Sequence, residues 1–473
     1  MRSAGILLPI FCLPSSYGIG SLGREAFAFI DFLAAAGQSL WQILPIGPTG
    51  AYDSPYQSLS AFAGNPYFID LDLLKDEGLL SARELKQAWS KNPSLVDYEG
   101  QQTYRIPLLL KAAERFDAAK NDDYATFCDA NAGWLDDFAG FMHGRNPAAS
   151  VELWRRMQFF FFRQWKSMKR YANAKGIGII GDLPYYVAEE SGDYEAHPEL
   201  FKIARTGARK GRPATLAGVP PDKFSSEGQV WNNPVYVWEA HRKERYRWWI
   251  DRLRQADELY DACRIDHFRG FSEYYAIPAG RPASAGRWMR GPSHDFVDAV
   301  RKAAPGLNII AEDLGLLTED VHELRRYSGY PGMRVLQFAF TPGENSIYLP
   351  HNHIEHCVVY TGTHDNNTLK GWLHESGKSV VEYVYRYFGL PGVGKPADAV
   401  IRAAAASVAE TAVIPMQDWL GLGAEARINA PSTVGGNNWR WRLREGQLTT
   451  RLAAEILEIT DMYGRAPEVL PRM

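Results

Sequence analysis

The sequence predicts a (β/α)8 barrel of the α/β class, and three observations favour it. Eight short apolar runs recur along the 473 residues, each too short for a helix and bounded by Gly, Pro, Asp or Asn. Amphipathic stretches of helical length lie between several of these runs. Carboxylates follow several runs at the carboxyl end, the face on which barrel enzymes build their sites.

The predicted strands form the first part of this repeat. They lie at 5–9, 39–44, 177–182, 262–266, 308–312, 334–338, 357–361 and 412–415. We interpret the first run as a strand rather than a signal peptide, because Pro9 and Pro14 interrupt it and no small-residue cleavage site follows. Predicted amphipathic helices cover 25–36, 151–175 and 241–259.

Two connections between predicted strands are longer than a single helix of the barrel repeat requires. Residues 47–150, between the second and third strands, include helix-like segments at 81–91 and 108–121. Residues 184–240, between the third and fourth strands, are rich in Gly and Pro and have little helical period. Because both spans follow the carboxyl end of a strand, we expect insertion subdomains around the active-site face of a single barrel over 1–473.

Composition excludes several classes of function. The formal net charge is -3 and no basic stripe is present, so we expect no nucleic-acid partner. No run reaches the ~18 apolar residues of a membrane span. The four cysteines are dispersed without a CxxC pair, which indicates a reducing, cytoplasmic setting and no structural zinc. The 14 Trp, 24 Tyr and 22 Phe suit a sugar-binding protein but equally a packed core.

Three carboxylates stand where apolar strands end: Asp266, Glu312 and Asp365. A retaining sugar-transfer site needs one carboxylate to attack the anomeric carbon and another to shuttle a proton. A third could hold the sugar ring. The strand period of two places Arg264 on the same face as Asp266, and its guanidinium is expected to keep the pKa of Asp266 low. The alternative is a buried ion pair that only fixes the barrel.

The other two segments are also ambiguous when taken alone. Glu312 would need a raised pKa as an acid/base catalyst, or could simply begin a helix. Alternation directs Asp313 to the opposite side, where we expect it to cap the next turn or helix. Asp365, with His364, lies in a polar turn that could hold ring hydroxyls or be no more than a turn. No His pair has metal-ligand spacing matched by a third ligand, so no metal is expected.

Several long segments resemble a known family, the 4-α-glucanotransferases called amylomaltases or disproportionating enzymes. These are glycoside hydrolase family seventy-seven, in the α-amylase clan. The resemblance runs from 6–9 to 438–442, with specific motifs at 53–58, 61–67, 181–184, 218–222, 264–270, 311–315 and 362–366. It implies transfer of 1,4-α-glucan segments among malto-oligosaccharides, amylose or glycogen-derived glucans, without a cofactor, and leaves the oligomeric state open.

The resemblance also implies roles for individual residues. Asp266 would be the nucleophile, Glu312 the general acid/base and Asp365 the residue that grips sugar hydroxyls as the ring distorts. The loop 218–234 would be a flap over the acceptor. The implied substrate-binding residues are Ser54, Tyr56, Asp222, Gln229, Trp231, Arg264, His267, Phe338 and His364.

The chain departs from the family pattern at one place, and three rival functions stay open. Some relatives carry an aromatic residue directly after the Pro-Thr-Gly that ends here at Gly50, as part of an outer glucan site. This chain has Ala51 and then Tyr52, so either Tyr52 substitutes or that site is weak. The rivals are an α-1,4-glucan hydrolase of the same clan, a non-catalytic glucan-binding barrel and a metal-dependent barrel hydrolase.

Overall fold

The computed structural model describes residues 2–90, 92–221, 226–315, 317–390 and 394–467. Two sheets form its framework. Their strands, in chain order, are β1 (Ser3–Leu7), β2 (Leu40–Gln42), β3 (Gly178–Leu183), β4 (Thr215–Val219), β5 (Gln229–Pro234), β6 (Ala262–Ile265), β7 (Glu273–Pro278), β8 (Arg287–Arg290), β9 (Ile309–Ala311), β10 (Gly332–Val335), β11 (Cys357–Tyr360) and β12 (Thr411–Pro415).

The larger sheet is the predicted barrel. Its eight strands are all parallel, in the order β10-β11-β12-β1-β2-β3-β6-β9. The two ends meet where the amide of Ala311 donates to the carbonyl of Pro331 at 2.9 Å. The register aligns Asp182 with Arg264, and Ile265 with Ala311, so the residues that follow these strands emerge at one end of the barrel. The (β/α)8 fold class is confirmed.

Helices surround this sheet. They are α1 (Arg24–Ala35), α2 (Leu71–Asp76), α3 (Tyr98–Gly100), α4 (Ile106–Arg115), α5 (Asp122–Ala130), α6 (Leu135–Arg145), α7 (Val151–Ala174), α8 (Gly192–Ala196), α9 (Trp238–Lys243), α10 (Arg247–Leu259), α11 (His294–Ala303), α12 (Glu319–Ser328), α13 (Leu369–Glu375), α14 (Lys378–Tyr387), α15 (Pro396–Ala406), α16 (Met416–Trp419) and α17 (Thr450–Met462). Among the described residues, no helix combines the length and apolar character needed to cross a bilayer.

Each predicted strand position contains part of a barrel strand, but the second strand is shorter than predicted, Leu40–Gln42 rather than 39–44, and two other strands are displaced by two or more residues at both ends. The first strand is Ser3–Leu7 rather than 5–9, because Pro9 has no amide hydrogen for a ladder between two neighbours. The sixth barrel strand is Gly332–Val335 rather than 334–338, and a 3-10 turn over Leu336–Phe338 follows it. The turn begins within the apolar run, which composition alone does not reveal.

The predicted helices differ from the structure more than the predicted strands do. Segments 25–36 and 151–175 are helices α1 and α7, but 241–259 breaks into α9 and α10 at Arg245 and Tyr246, whose φ angles are 56° and 59°. Segment 108–121 is helical only as far as Arg115, apart from a 3-10 turn. Segment 81–91 is wrong: its described residues form turns, in which the carboxylate of Glu84 accepts from the amide and hydroxyl of Ser81.

A second sheet was not predicted. It is antiparallel, in the order β5-β4-β7-β8, and joins the hairpin from 184–240 to two strands that follow β6. The pattern of β4 and β5 is weak as a strand signal because it contains Gly218, Asn232 and Pro234. The division into insertion subdomains at 47–150 and 184–240 stays a prediction.

Helix α7 fixes the loop that begins the first insertion. The side chain of Gln158 accepts from the amide of Gly64 at 2.8 Å and donates to its carbonyl at 2.9 Å. Further along the same helix, the side chain of Gln164 accepts from the amide of Asp70 at 2.7 Å and donates to its carbonyl at 3.2 Å. Both glutamines are buried, so these bonds are shielded from water. The loop that carries Tyr56 is therefore anchored close to its carboxyl end.

Candidate active site

Two of the predicted catalytic carboxylates lie side by side at the carboxyl end of the barrel. Glu312 follows β9, and its Oε2 accepts a hydrogen bond from the backbone amide of His267 at 2.8 Å. Its Oε1 accepts from the amide of Leu314, also at 2.8 Å. Because His267 is the residue directly after Asp266, the backbone of one strand end holds the carboxylate of the other. The structure therefore brings Asp266 and Glu312 together.

Arg264 connects Asp266 to a third carboxylate, that of Asp182. The Nη2 atom of Arg264 donates to Oδ1 of Asp266 at 3.0 Å, and Nη1 donates to both oxygens of Asp182 at 2.8 and 2.7 Å. The hydroxyl of Tyr56 donates to Oδ2 of Asp182 at 2.8 Å. Asp182 was not predicted as a site residue, although it too lies near the end of a buried strand. Arg264 thus forms ion pairs with both Asp182 and Asp266.

The expectation of a low pKa for Asp266 is wrong. Burial raises the pKa of Asp266 to about 6, Arg264 lowers it only in part, and the charges of Asp182 and Asp365 raise it further. The physical reason is that burial outweighs the attraction of the Arg264 guanidinium, which is shared with Asp182 and lies closer to it than to Asp266. At neutral pH the Asp266 carboxylate is still mostly ionised.

Glu312 is suited to hold a proton near neutral pH. Burial raises the pKa of Glu312 to about 7, the charge of Asp266 adds to the rise, and Arg264 with the two backbone amides opposes it. The pair therefore has an ionised member and a partly protonated member at the same pH. This is the division of labour that a nucleophile and a general acid require.

Asp365 is held by residues distant in sequence. Its Oδ1 accepts from Nδ2 of Asn429 at 2.6 Å, and its carbonyl accepts from Arg427 at 2.9 Å. Sequence reasoning missed Asn429, which lies in a loop without a strand or motif signal. The side chain of Asp365 is 45% exposed, so its carboxylate is accessible to a ligand.

Aromatic rings line one side of these carboxylates. The ring of Tyr56 stacks on His364 at 5.2 Å and 18°, and Trp439 lies 5.9 Å from Tyr56. Burial lowers the pKa of His364, so its imidazole is neutral, and its Nε2 lies 3.4 Å from Oδ2 of Asp365. Trp439 was also missed. Ser54 shapes the turn that presents Tyr56, since its Oγ accepts from the Tyr56 amide at 3.4 Å.

His267 has an unusual backbone conformation. Its φ is 50°, in the left-handed region that non-glycine residues rarely occupy, and this directs its amide at Glu312. Burial, with Arg269 adding, lowers the pKa of the His267 imidazole to about 3, so the ring is neutral. The indole of Trp231 meets it edge-on with ring centroids 5.0 Å apart.

The flap residues with described positions lie beside His267. Trp231 Nε1 donates to the Gln229 side chain at 3.0 Å, and its carbonyl accepts from Gln57 Nε2, also at 3.0 Å. This bond joins the flap to the loop of Tyr56. The predicted substrate-binding residue Asp222, with Phe224, lies outside the described residues.

The remaining predicted residues are placed as follows. Phe338 lies in the turn after β10, with its ring 5.6 Å from that of Tyr348. Asp313 points away from Glu312 and contacts Arg325 at 3.2 Å, while its Oδ1 accepts from the amide of Met333. The next helix, α12, has Thr318 as its N-cap, so the expectation that Asp313 caps that helix is wrong, while a cap of the turn stays a prediction. Tyr52 is 67% exposed. Among the described residues, no cluster of three or more His, Cys, Asp or Glu side chains is arranged to hold a metal ion.

Similarity to characterised proteins agrees with this geometry. The model of glycoside hydrolase family 77, described as 4-alpha-glucanotransferase, matches residues 8–148 and 143–449. The chain belongs to this family. It is 44% identical to the 4-alpha-glucanotransferase of Streptococcus pneumoniae over 99% of this chain and 98% of that protein. It is 41% identical to that of Thermus thermophilus, over 98% and 99%.

A solved structure extends the similarity to three dimensions. The amylomaltase from Streptococcus agalactiae, solved in complex with acarbose, superposes with a TM-score of 0.93 at 37% identity, covering 99% of this chain and 100% of that one. The predicted family resemblance is therefore confirmed, and with it the expectation of a glycosyl-transferring enzyme of the 4-alpha-glucanotransferase type. The roles of individual residues stay predictions.

Replacing Asn429 with Ala in this 4-alpha-glucanotransferase family member tests its support of Asp365. The variant loses a charge-assisted hydrogen bond worth about 1.5–3 kcal/mol, so we expect kcat on maltotriose to fall about tenfold to a hundredfold. The KM should change little, because Asp365 would bind most tightly to the distorted ring. Steady-state kinetics measure both.

The matched control is Asn437→Ala, an exposed asparagine of the same loop. We expect it to retain wild-type kcat. Equal kcat values for the two variants would show that Asn429 does not support Asp365 in the reaction.

Proposed function

We propose that this protein transfers a segment of a 1,4-α-D-glucan to the 4-hydroxyl of another glucan or of glucose by a retaining double displacement. The observation that carries the proposal is the hydrogen bond from the His267 amide to Glu312, because it pairs two carboxylates of different pKa at one barrel mouth. Retaining enzymes place their two carboxyl groups only ~5 Å apart. The donors are malto-oligosaccharides, amylose or glycogen-derived glucans.

In the first step, Asp266 attacks the anomeric carbon while Glu312 donates its proton to the glycosidic oxygen. The bond to the leaving glucan breaks as the ester bond to Asp266 forms. Asp365 grips ring hydroxyls during this step, held by Asn429. Tyr56 is the platform for the donor ring, and its bond to Asp182 couples that platform to Arg264.

In the second step, Glu312 removes the proton from the 4-hydroxyl of the incoming glucan, whose oxygen attacks the anomeric carbon and releases Asp266. Transfer requires that this sugar outcompete water. The support for this is aromatic: Trp231 meets His267, while Tyr186 lies 6.2 Å from Trp231 and 6.0 Å from His267. These rings provide apolar faces for an acceptor sugar and displace water from the acceptor side.

An α-1,4-glucan hydrolase is the rival from the same clan, since it needs the same carboxylates and uses water as acceptor. The family relationship and the Gln57–Trp231 bond, which fixes the flap against the donor platform, favour transfer. A non-catalytic barrel would have no need for an acid/base pair of this kind.

Incubation with maltotriose alone tests the proposal. We expect glucose together with a ladder of maltodextrins longer than maltotriose, separated by mass spectrometry or thin-layer chromatography. Asp266→Asn should lower the rate at least about a thousandfold, or roughly 4 kcal/mol of barrier, because the covalent step is lost. Asp257→Asn, an exposed carboxylate on α10, is the matched control and should react as wild type.

Two results would contradict the proposal. Glucose and maltose without elongation would identify a hydrolase. Wild-type activity in Asp266→Asn would remove the assigned nucleophile.

The pH dependence of kcat/KM follows from the two pKa values. Below about pH 6 Asp266 gains a proton and can no longer attack, and above about pH 7 Glu312 loses the proton it must donate. We therefore expect a bell-shaped profile for maltotriose, whose limbs belong to the coupled pair. Rates measured from acid to alkaline pH at constant ionic strength check this.

A fluoride donor provides the control for the alkaline limb. With α-maltosyl fluoride, the leaving group needs no protonation, so the alkaline limb of kcat/KM should disappear while the acid limb remains. A profile that keeps both limbs with this donor would argue against Glu312 as the acid.

A further inference from the structure

A second concave site lies on the outside of the barrel. We call it the outer pocket; its volume is about 450 Å³, within the usual range for small-ligand sites. Its walls come from the α5–α6 connection with the start of α6, from α8, and from α10 with the residues before it. Neither the three catalytic carboxylates nor Tyr52 lines it.

Aromatic side chains form the apolar part of the outer pocket. The rings of Phe62 and Trp134 are nearly parallel, at 10° with centroids 6.2 Å apart, and Trp248 stands edge-on to Phe62 at 85°. The indole nitrogen of Trp134 donates to the side chain of Asn131 at 3.0 Å, which fixes the orientation of the ring. Flat aromatic faces of this kind bind the apolar face of a pyranose ring.

The polar rim of the outer pocket carries both signs of charge. Its lining contains five carboxylates, of which Asp193 is buried, with two guanidinium groups and an imidazole: Asp137, Asp193, Glu244, Asp251, Glu258, Arg247, Arg254 and His197. The two arginines lie 3.8 and 3.5 Å from the Asp251 carboxylate. An anion such as phosphate would face the carboxylates, and a cation would face the guanidinium groups. A neutral ligand with many hydroxyls can bond both.

We propose that the outer pocket binds a neutral α-glucan segment and so provides a second attachment point for long glucans. The choice of a glucan among neutral sugars rests on the proposed function. The inference that the ligand is a neutral sugar rests on the pocket volume, the aromatic faces and the mixed charges of the rim.

The outer pocket and the donor platform share one rigid support. Gln255 donates to the carbonyl of Phe62 at 2.8 Å, and the buried Asp193 accepts from the amide of Ala61 at 2.7 Å and from Trp248 at 3.3 Å. These bonds fix the segment that leads back to Tyr56. A glucan held in the outer pocket would therefore stay at a fixed position relative to the barrel mouth, which raises the effective concentration of its free end there.

Two glycines allow a matched test. Gly133 lines the outer pocket, and a Cβ added there meets no atom within 4 Å, so Gly133→Leu fills the pocket without displacing the fold. Gly140 on α6 is also exposed with open space around its Cβ, but it does not line the pocket. Gly140→Leu is therefore the control.

The probe is maltoheptaose, titrated by calorimetry into each variant in a Glu312→Gln background so that it is not consumed. We expect Gly133→Leu to bind one maltoheptaose fewer per chain than Gly140→Leu. Superimposable isotherms for the two variants would overturn the proposal. Trp134→Ala should weaken the same site about tenfold or more, and Trp134→Phe should restore binding in part, because the aromatic face remains.

Kinetics of the active enzyme separate this proposal from the proposed function. Gly133→Leu should turn over maltotriose like wild type but show a several-fold higher KM for amylose, which is long enough to use both sites. An unchanged KM for amylose would count against the second attachment point. Absence of transfer products in the wild type would instead contradict the proposed function, and the calorimetric result would still decide whether the pocket binds glucan.

Discussion

The site depends on one buried guanidinium. Arg264 is 4% exposed and bonds two carboxylates at once, Asp182 on β3 and Asp266 after its own strand. A buried charge is tolerated only when it is paired and hydrogen-bonded, and here both conditions are met by residues of adjacent strands. The register of β3 and β6 therefore sets the position of Asp266. Asp182 also accepts the hydrogen bond from the Tyr56 hydroxyl, so the same register positions Tyr56.

The second constraint is the backbone after Asp266. Because His267 adopts a left-handed conformation, its amide points at Glu312 rather than into a ladder or helix. The bond lowers the pKa of Glu312, yet burial and the charge of Asp266 outweigh it. Glu312 is thus oriented by the backbone and kept partly protonated by its surroundings. Position and proton affinity are set by different parts of the structure.

Much of this fold can be predicted from the sequence, because the signals for it lie within short segments of the chain. Apolar runs bounded by Gly, Pro and Asp located the barrel strands, and the period of two correctly placed Arg264 and Asp266 on one face. The pKa of Asp266 could not be predicted in the same way, because it depends first on how deeply the carboxylate is buried, and then on the charges of Arg264 and of Asp182 on another strand. The contact of Asn429 with Asp365 could not be predicted, because 64 residues separate the two. The antiparallel sheet could not be predicted, because its strands come from two segments that are separated in the sequence.

In the proposed reaction, Asp266 forms the covalent bond to the donor sugar while Glu312 moves the proton. The most direct measurement uses Glu312→Gln with α-maltotriosyl fluoride, followed by proteolysis and mass spectrometry of the peptides. The fluoride donor needs no acid for the first step, and the missing base stalls the second. We expect one maltotriosyl unit on the carboxylate of Asp266. A maltotriosyl unit on another carboxylate, or release of fluoride with no labelled peptide, would contradict it.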